Sequence, residues 1–438
     1  MNDSTGNPTG NPSRDRSYAP STDSPHALVD HFFRHQYARL VATLTRRFGV
    51  RHWELIEDVV QQALQRALGS WSLKGVPPNP SAWLHTVAAN LAVDVLRRDS
   101  RSTPLDDSHQ FADNATPPGP DVLETEVHDD LLRMIFVCCN PIVPPESQVA
   151  LALKTLCGFG NREIARALLT TEVSVAKRIT RAKKQLRESN IEPSELSADQ
   201  IQERLPEVLS VVYVLFSEGY SSSTADRLIR DELCEEAVRL AMILAQHSGT
   251  SGPDTAALLA LLLFHAARLD ARIDESGAML LLKEQDRSQW DGRLMLEAFD
   301  WFRKATVGEQ VTRYHAEAWI AAEHCRATTM DDINWARIAQ AYDLLCAIMP
   351  SPIHALNRAI AIGRRDGATA GLEAFEAVDG GSQMEAYYLW HATRAELLRQ
   401  TGDLKAAEAA LQIAWNLAPT NAEKELICRK RDQLRSGN

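Results

Sequence analysis

Between positions 177 and 187 the chain carries Lys177, Arg178, Arg181, Lys183, Lys184 and Arg187. Among them stand Val175, Ile179, Ala182 and Leu186, at the i, i+4, i+7 and i+11 spacing of one helical stripe. A helix that buries this stripe turns Ser174, Lys177, Arg178, Arg181 and Lys184 away from its core. Cations displayed this way hold phosphate oxygens, and arginine also reads base edges through paired N–H donors. Just upstream, "NREIARAL" predicts a short helix with Ile164, Ala165 and Leu168 inward, and "LTTE" breaks it with Thr170 or Thr171 as N-cap. A short helix, a turn and a basic second helix make a helix-turn-helix pattern, although Leu169 stands where the turn often has glycine. A solvated face on an ordinary helical hairpin would carry the same charges.

Other residues that suggest chemistry lead nowhere firm. Cys138 and Cys139 lie in the apolar run "MIFVCCNP" without ligands at zinc spacing, so no metal site is expected. "GYSSS" (219–223) lacks the second glycine of a nucleophile elbow, and "DARIDESG" (270–277) breaks the calcium-loop pattern. The charged stretch from His265 through Asp286, Arg287 and Trp290 predicts an internal ion-pair network, with a ligand site as the sharper alternative. No catalytic residues, metal or cofactor are expected.

The 438 residues allow two to four domains, and 45% hydrophobic with 24% charged residues is ordinary globular composition. The longest apolar run, near Ala256–Phe264, is far below the ~20 residues of a spanning helix, so no membrane partner is expected. Residues 1–26 lack a signal-peptide core and predict a disordered tail. Seven cysteines without a CxxC pair suit a reducing, cytoplasmic setting. The net charge of −11 is unevenly spread. Residues 1–190 hold 22 Lys+Arg against 21 Asp+Glu, whereas 191–438 hold 25 against 37. A polyanion would therefore meet the first half.

Helical periodicity dominates and predicts an all-α chain. "HALVDHFFRHQYARLVATLTRRFG" and "HWELIEDVVQQALQRALGSW" stop near Gly49 and Gly69. "KGVPPNPS" (74–81) predicts a rigid proline loop, and "AWLHTVAANLAVDVLRR" a buried helix with Trp83 on its apolar face. In the second helix Ile56, Val59, Val60 and Ala63 face inward, leaving Asp58, Gln61, Gln62 and Gln65 as a polar outer surface. Linker composition from Asp99 to Asp121 separates a unit at 27–101 from one at 122–190, with 102–121 as the linker proper. Residues 191–438 form a third, acidic helical region. Within it "GDLKAAEAALQIAWNLAPTN" places Gly402, Ala407, Leu411, Ala414 and Pro419 at the spacing of a tetratricopeptide (TPR) helix pair. Gly367 and Gly402 lie one such period apart.

"EDVVQQALQRAL" with "NPSAWLHTVAANLAVDVLRR", then a linker, then "QVALALKTLCGFGNREIARALLTTEVSVAKRITRAKKQL", resembles regions 2 and 4 of RNA polymerase sigma factors of the extracytoplasmic function (ECF) subfamily. "VLFSEGYSSS" and "LLLKEQDRSQWD" further resemble the subgroup with a long C-terminal TPR-like extension. The resemblance implies a non-enzymatic subunit that binds core RNA polymerase at its clamp and flap and recognises promoter DNA. It implies polymerase contact through Asp58, Gln61, Gln62 and Gln65. It places −10 recognition at Asn79, Trp83, Asn90, Arg97 and Arg98, and −35 recognition at Ser174, Lys177, Arg178, Arg181 and Lys184. A common family arginine is replaced by Ala89, and the acidic linker would thread toward the polymerase active centre. The extension is expected to modulate activity through a protein or ligand partner. A TPR-type scaffold that kept a sigma-like DNA-binding module without initiating transcription is the alternative.

Overall fold

A computed structural model describes residues 25–102, 130–168, 170–189, 197–220, 231–274, 280–378, 384–418 and 421–436. The described residues are helical with no strand, so the fold is all-α. Calls on the tail at 1–24, on the linker acids Asp106, Asp107, Asp113 and Asp121, and on Leu169 and Pro419 lie outside them.

The first unit is three helices, α1 (Pro25–Phe48), α2 (Trp53–Lys74) and α3 (Pro80–Ser102), each packed on the other two. Gly49 ends α1 as expected. By contrast, α2 passes through Gly69 and stops at Gly75, whose φ of +81° is a left-handed conformation that suits glycine. The extra turn survives because Trp71 packs its ring 6.1 Å from Phe33 and 5.6 Å from Trp83. Aromatic burial there outweighs the roughly 1 kcal/mol that a mid-helix glycine costs. The proline loop is accordingly shorter than 74–81: Lys74 still belongs to α2, and Pro80 opens α3, where its missing N–H costs nothing.

The second unit comprises α4 (130–138), α5 (Pro145–Leu156), α6 (Asn161–Ala167) and α7 (Glu172–Glu188). Buried Gln148 fastens the turn before α5 by donating to the carbonyls of Asn140 and Val143 at 3.1 and 2.9 Å. The third region begins with α8 (Ala198–Tyr220), α9 (Asp231–Gln246), α10 (Pro253–Ala266), α11 (Gly292–Ala305) and α12 (Arg313–Arg326). Helix α10 is buried almost all round, which explains its unbroken apolar run. None of the described helices is long and apolar enough to cross a membrane.

One apolar core runs from Tyr37 to Cys325, so the first two units and α8–α12 share it. The joint between α5 and α8 lies inside it. Beyond follow α13 (Trp335–Ile348), α14 (Pro352–Asp366), α15 (Ala368–Glu376), α16 (Tyr388–Thr401), α17 (Leu404–Leu417) and α18 (Asn421–Ser436), each packed chiefly on its sequence neighbours and enclosing smaller clusters. Gly367 and Gly402 both end a helix at positive φ, and Ala407, Leu411 and Ala414 bury the inner face of α17.

Candidate nucleic-acid interface

Helices α6 and α7 meet across a short turn. Glu163 starts α6 by accepting from the Gly160 N–H at 2.7 Å, and Thr171 caps α7 by accepting from the Ser174 N–H at 3.1 Å. Of the two threonines considered from sequence, Thr171 is the cap. Val175, Ile179, Ala182 and Leu186 are buried, as their spacing predicts. Lys177, Arg181 and Lys184, at i, i+4 and i+7, stand exposed along the opposite face. Ser174 and Arg178 are half-buried at its edge.

Ion pairing divides these cations. Arg178 reaches Glu146 at 2.6 Å, and Lys184 lies 3.7 Å from Glu188 one turn on. Among the described residues Lys177 and Arg181 have no ion-pair partner. They are the two cations most available to an incoming phosphate.

Two further basic residues of the same helix serve another purpose. Lys183 is buried, with Nζ 2.5 Å from Oε2 of Glu57 on α2 and 5.6 Å from the Trp53 ring centroid. The Trp53 indole N–H donates to Glu57 Oε1 at 3.1 Å, so both oxygens of that carboxylate are engaged. Arg187 lies 3.6 Å from Glu54. Burial, followed by the Glu57 charge, pushes the nearby Tyr37 phenol well above its ordinary pKa. This clasp joins α7 to α2 across 126 residues of chain. Local periodicity carries no signal for it beyond the presence of one more cation than a single outer face needs.

On the first unit Asp58, Gln61, Gln62 and Gln65 are all exposed along one face of α2, while Ile56, Val59, Val60 and Ala63 are buried beneath. On α3, Asn90, Arg97 and Arg98 are exposed. Two residues expected to capture a base also carry structural work. Asn79 is exposed, yet its Oδ1 accepts from the Ala82 N–H at 3.0 Å and caps α3, leaving its amide N–H groups for a ligand. Trp83 is half-buried against Trp71 and so offers only part of its ring. The exposed apolar side chains beside the loop are Leu73 and Val76, 86% and 65% exposed, which sequence reasoning passed over. Ala89 is buried in the core, where an arginine would not fit without displacement.

Among the described residues no group of His, Cys, Asp and Glu could hold a metal. Cys138 and Cys139 are buried, free thiols, and burial pushes Cys139 up to about 12 and raises Cys138 as well, which keeps both protonated and unreactive.

Sigma-70 region 2 matches residues 33–102, sigma-70 region 4 matches 141–186, and a family of unknown function, DUF6596, matches 204–306. A Rhizobium meliloti protein described only as uncharacterized is 36% identical over 387 residues, covering 88% of this chain and 91% of its own length. No solved structure matches. With regions 2 and 4 in order, the described geometry of each, and a relative aligned along nearly its whole length, the chain belongs to the sigma-70 family of sigma factors.

Proposed function

We propose that this protein is an ECF-type promoter-recognition subunit of RNA polymerase, acting in the cytoplasm, with a TPR-like C-terminal extension that modulates its activity. The single observation that carries the reading is the exposed row Lys177, Arg181 and Lys184 on the second helix of a helix-turn-helix, in a chain that also carries region 2. That helix would enter the major groove at the −35 element, with Ser174 and Arg178 at its margin. The α2 face formed by Asp58, Gln61, Gln62 and Gln65 would contact the polymerase clamp.

At the −10 element the loop at 75–79 would receive an unstacked base. Unstacking costs a few kcal/mol, offset by stacking and backbone contacts. Leu73 and Val76 supply apolar surface, the Asn79 amide supplies donors, and Asn90, Arg97 and Arg98 line the adjoining face of α3. The sequential stacking of α13–α18, with glycine-ended helices one TPR period apart, supports the TPR-like reading of the extension.

Reconstitution of the full chain with core RNA polymerase, followed by run-off transcription on genomic promoter fragments, tests this. Holoenzyme formation and a defined start site are expected. A chain that binds promoter DNA without polymerase and yields no transcript would overturn the assignment in favour of a scaffold or independent regulator.

A further inference from the structure

The sequence predicts internal ion pairs between His265 and Trp290, and the structure shows something else. Helix α10 supplies His265, and the turns directly after it supply Arg268 and Arg272. The segment before α11 supplies Gln285, Arg287 and Trp290, and the end of α12 supplies His324. Arg268 and Arg272 are each only 8% exposed. The Arg268 and Arg287 guanidinium carbons lie 4.9 and 4.5 Å from the Trp290 ring centroid, and that of Arg272 lies 3.5 Å from the Tyr220 centroid. Three cations thus gather around two aromatic rings.

Among the described residues the hydrogen bonds of Arg268 and Arg287 go to neutral acceptors. Arg287 donates to the carbonyls of His324 and Ala327, both at 2.7 Å, and holds the end of α12. Arg272 donates to the Tyr220 carbonyl, and Arg268 makes a long 3.3 Å bond to Gln285 Oε1. Three of the exposed acids accept hydrogen bonds from other groups, and the Asp332 charge reaches Arg287 only from beyond ion-pair distance. Asp286 is exposed and accepts from Ser288, Glu284 accepts from the Leu281 N–H, and Asp332 accepts from Thr328 and Thr329. Among the described residues neither Arg268 nor Arg287 forms an ion pair with a carboxylate.

Buried donors are also left over. Among the described residues the Arg268 Nε and Trp290 Nε1 groups have no hydrogen-bond partner, nor do the Nδ1 atoms of His265 and His324. A buried cation and a buried unsatisfied N–H are both unfavourable, and cation–π contact offsets only part of that. Burial, then the arginine charges, push His265 down to about 3 and His324 to about 4, so both rings are neutral at physiological pH. The local field is therefore positive and its spare groups include N–H donors.

We propose that this cluster is a buried binding site for a small oxyanion, a carboxylate or a phosphate group, received by Arg268 with Trp290 and the neutral histidines. An oxyanion meets both deficits at once, because its oxygens accept from the orphan donors while its charge balances the guanidinium groups. A guanidinium matches two oxygens of a carboxylate or phosphate better than it matches a spherical halide. The site lies where α10, in the core shared with the DNA-binding units, meets α12, which packs on the first helix of the C-terminal stack. Occupancy would tie these two parts of the extension together and raise the stability of the folded chain in proportion to ligand concentration.

The test uses the full chain at constant ionic strength, titrated separately with inorganic phosphate, acetate and chloride, with thermal unfolding and calorimetry as readouts. A saturable rise in Tm with phosphate, acetate or both, beyond that of chloride, is expected. Phosphate alone would identify a phosphate-bearing ligand, and acetate alone a carboxylate. Arg268→Gln should weaken binding at least tenfold. Should that variant not fold, Arg268→Lys keeps charge and bulk but loses the fork of donors, and should still weaken binding about tenfold. An exposed control, Arg365→Gln, should bind as the parent does. No saturable shift with either oxyanion, or unchanged affinity in both Arg268 variants, would overturn the proposal.

Discussion

Glu146 distinguishes cations that sequence treats alike. Lys177, Arg178, Arg181 and Lys184 share a helix face, but only Arg178 is held by a carboxylate of a neighbouring helix, at 2.6 Å. Each phosphate contact that a cation makes adds about 0.9 to the slope of log K against log salt. Lys177→Ala and Arg181→Ala should therefore each flatten the slope for promoter binding by about that amount. Arg178→Ala should flatten it less, because part of its charge is already neutralised. Glu146→Gln should strengthen binding, by no more than about fivefold, since an exposed pair contributes at most about 1 kcal/mol. Filter binding across a salt series decides the matter. Equal slopes for the three alanine variants, with no gain from Glu146→Gln, would show that pairing in the free protein has no bearing on the interface.

At the scale of elements, the joint between α2 and α7 rests on one buried ion pair. Glu57 and Lys183 retain only 13% and 8% side-chain exposure, and Trp53 contacts both. Removing one partner leaves the other as an uncompensated charge, which typically costs about 3–5 kcal/mol. Lys183→Met should accordingly lower the urea midpoint clearly. Glu57→Gln should do so less, because a neutral amide still accepts from lysine. An unchanged midpoint for Lys183→Met would mean that α7 is not held to α2 in solution. The same joint shows where sequence reasoning stops. The α7 stripe, the Thr171 cap and the outer face of α2 were legible because each is a local pattern of period 3.6. Lys183 belongs neither to the apolar stripe nor to the outward row, and its partner lies 126 residues away, beyond any local signal. Gly69 reads as a helix end for a related reason, since the burial that carries α2 past it comes from Phe33 and Trp83 on other helices. The charged stretch around Arg268 mixes acids and bases, and only the fold reveals that Asp270, Asp274, Glu284 and Asp286 turn outward.

On the scale of the whole molecule, the extension is not a separable appendage. Helix α8 buries Val208, Leu209, Val212, Leu215 and Phe216 in the same core that holds regions 2 and 4, and it packs against α5. Truncation after Asn190 would expose the α5 side of that core. With each buried aliphatic side chain worth roughly 1.5–3 kcal/mol, the truncated chain should aggregate or unfold. Its loss of activity would then say nothing about regulation. Deletion from Tyr387 is the cleaner cut. It removes α16–α18, whose Ala392, Ala395, Leu398, Ala407, Leu411 and Ile427 form their own cluster, and leaves the shared core intact. The cost should be confined to the exposed face of α14 and α15, where Leu356 and Phe375 lose Leu397. We expect this variant to remain soluble with near-parental helicity, to bind promoter DNA with an unchanged salt slope, and to lose run-off transcription, as a stack that acts positively on the polymerase complex requires. Transcription above the parental level would instead show that α16–α18 restrain the factor. The acidic surplus of residues 191–438 would then act by masking Lys177 and Arg181, and the restraint should weaken as salt rises.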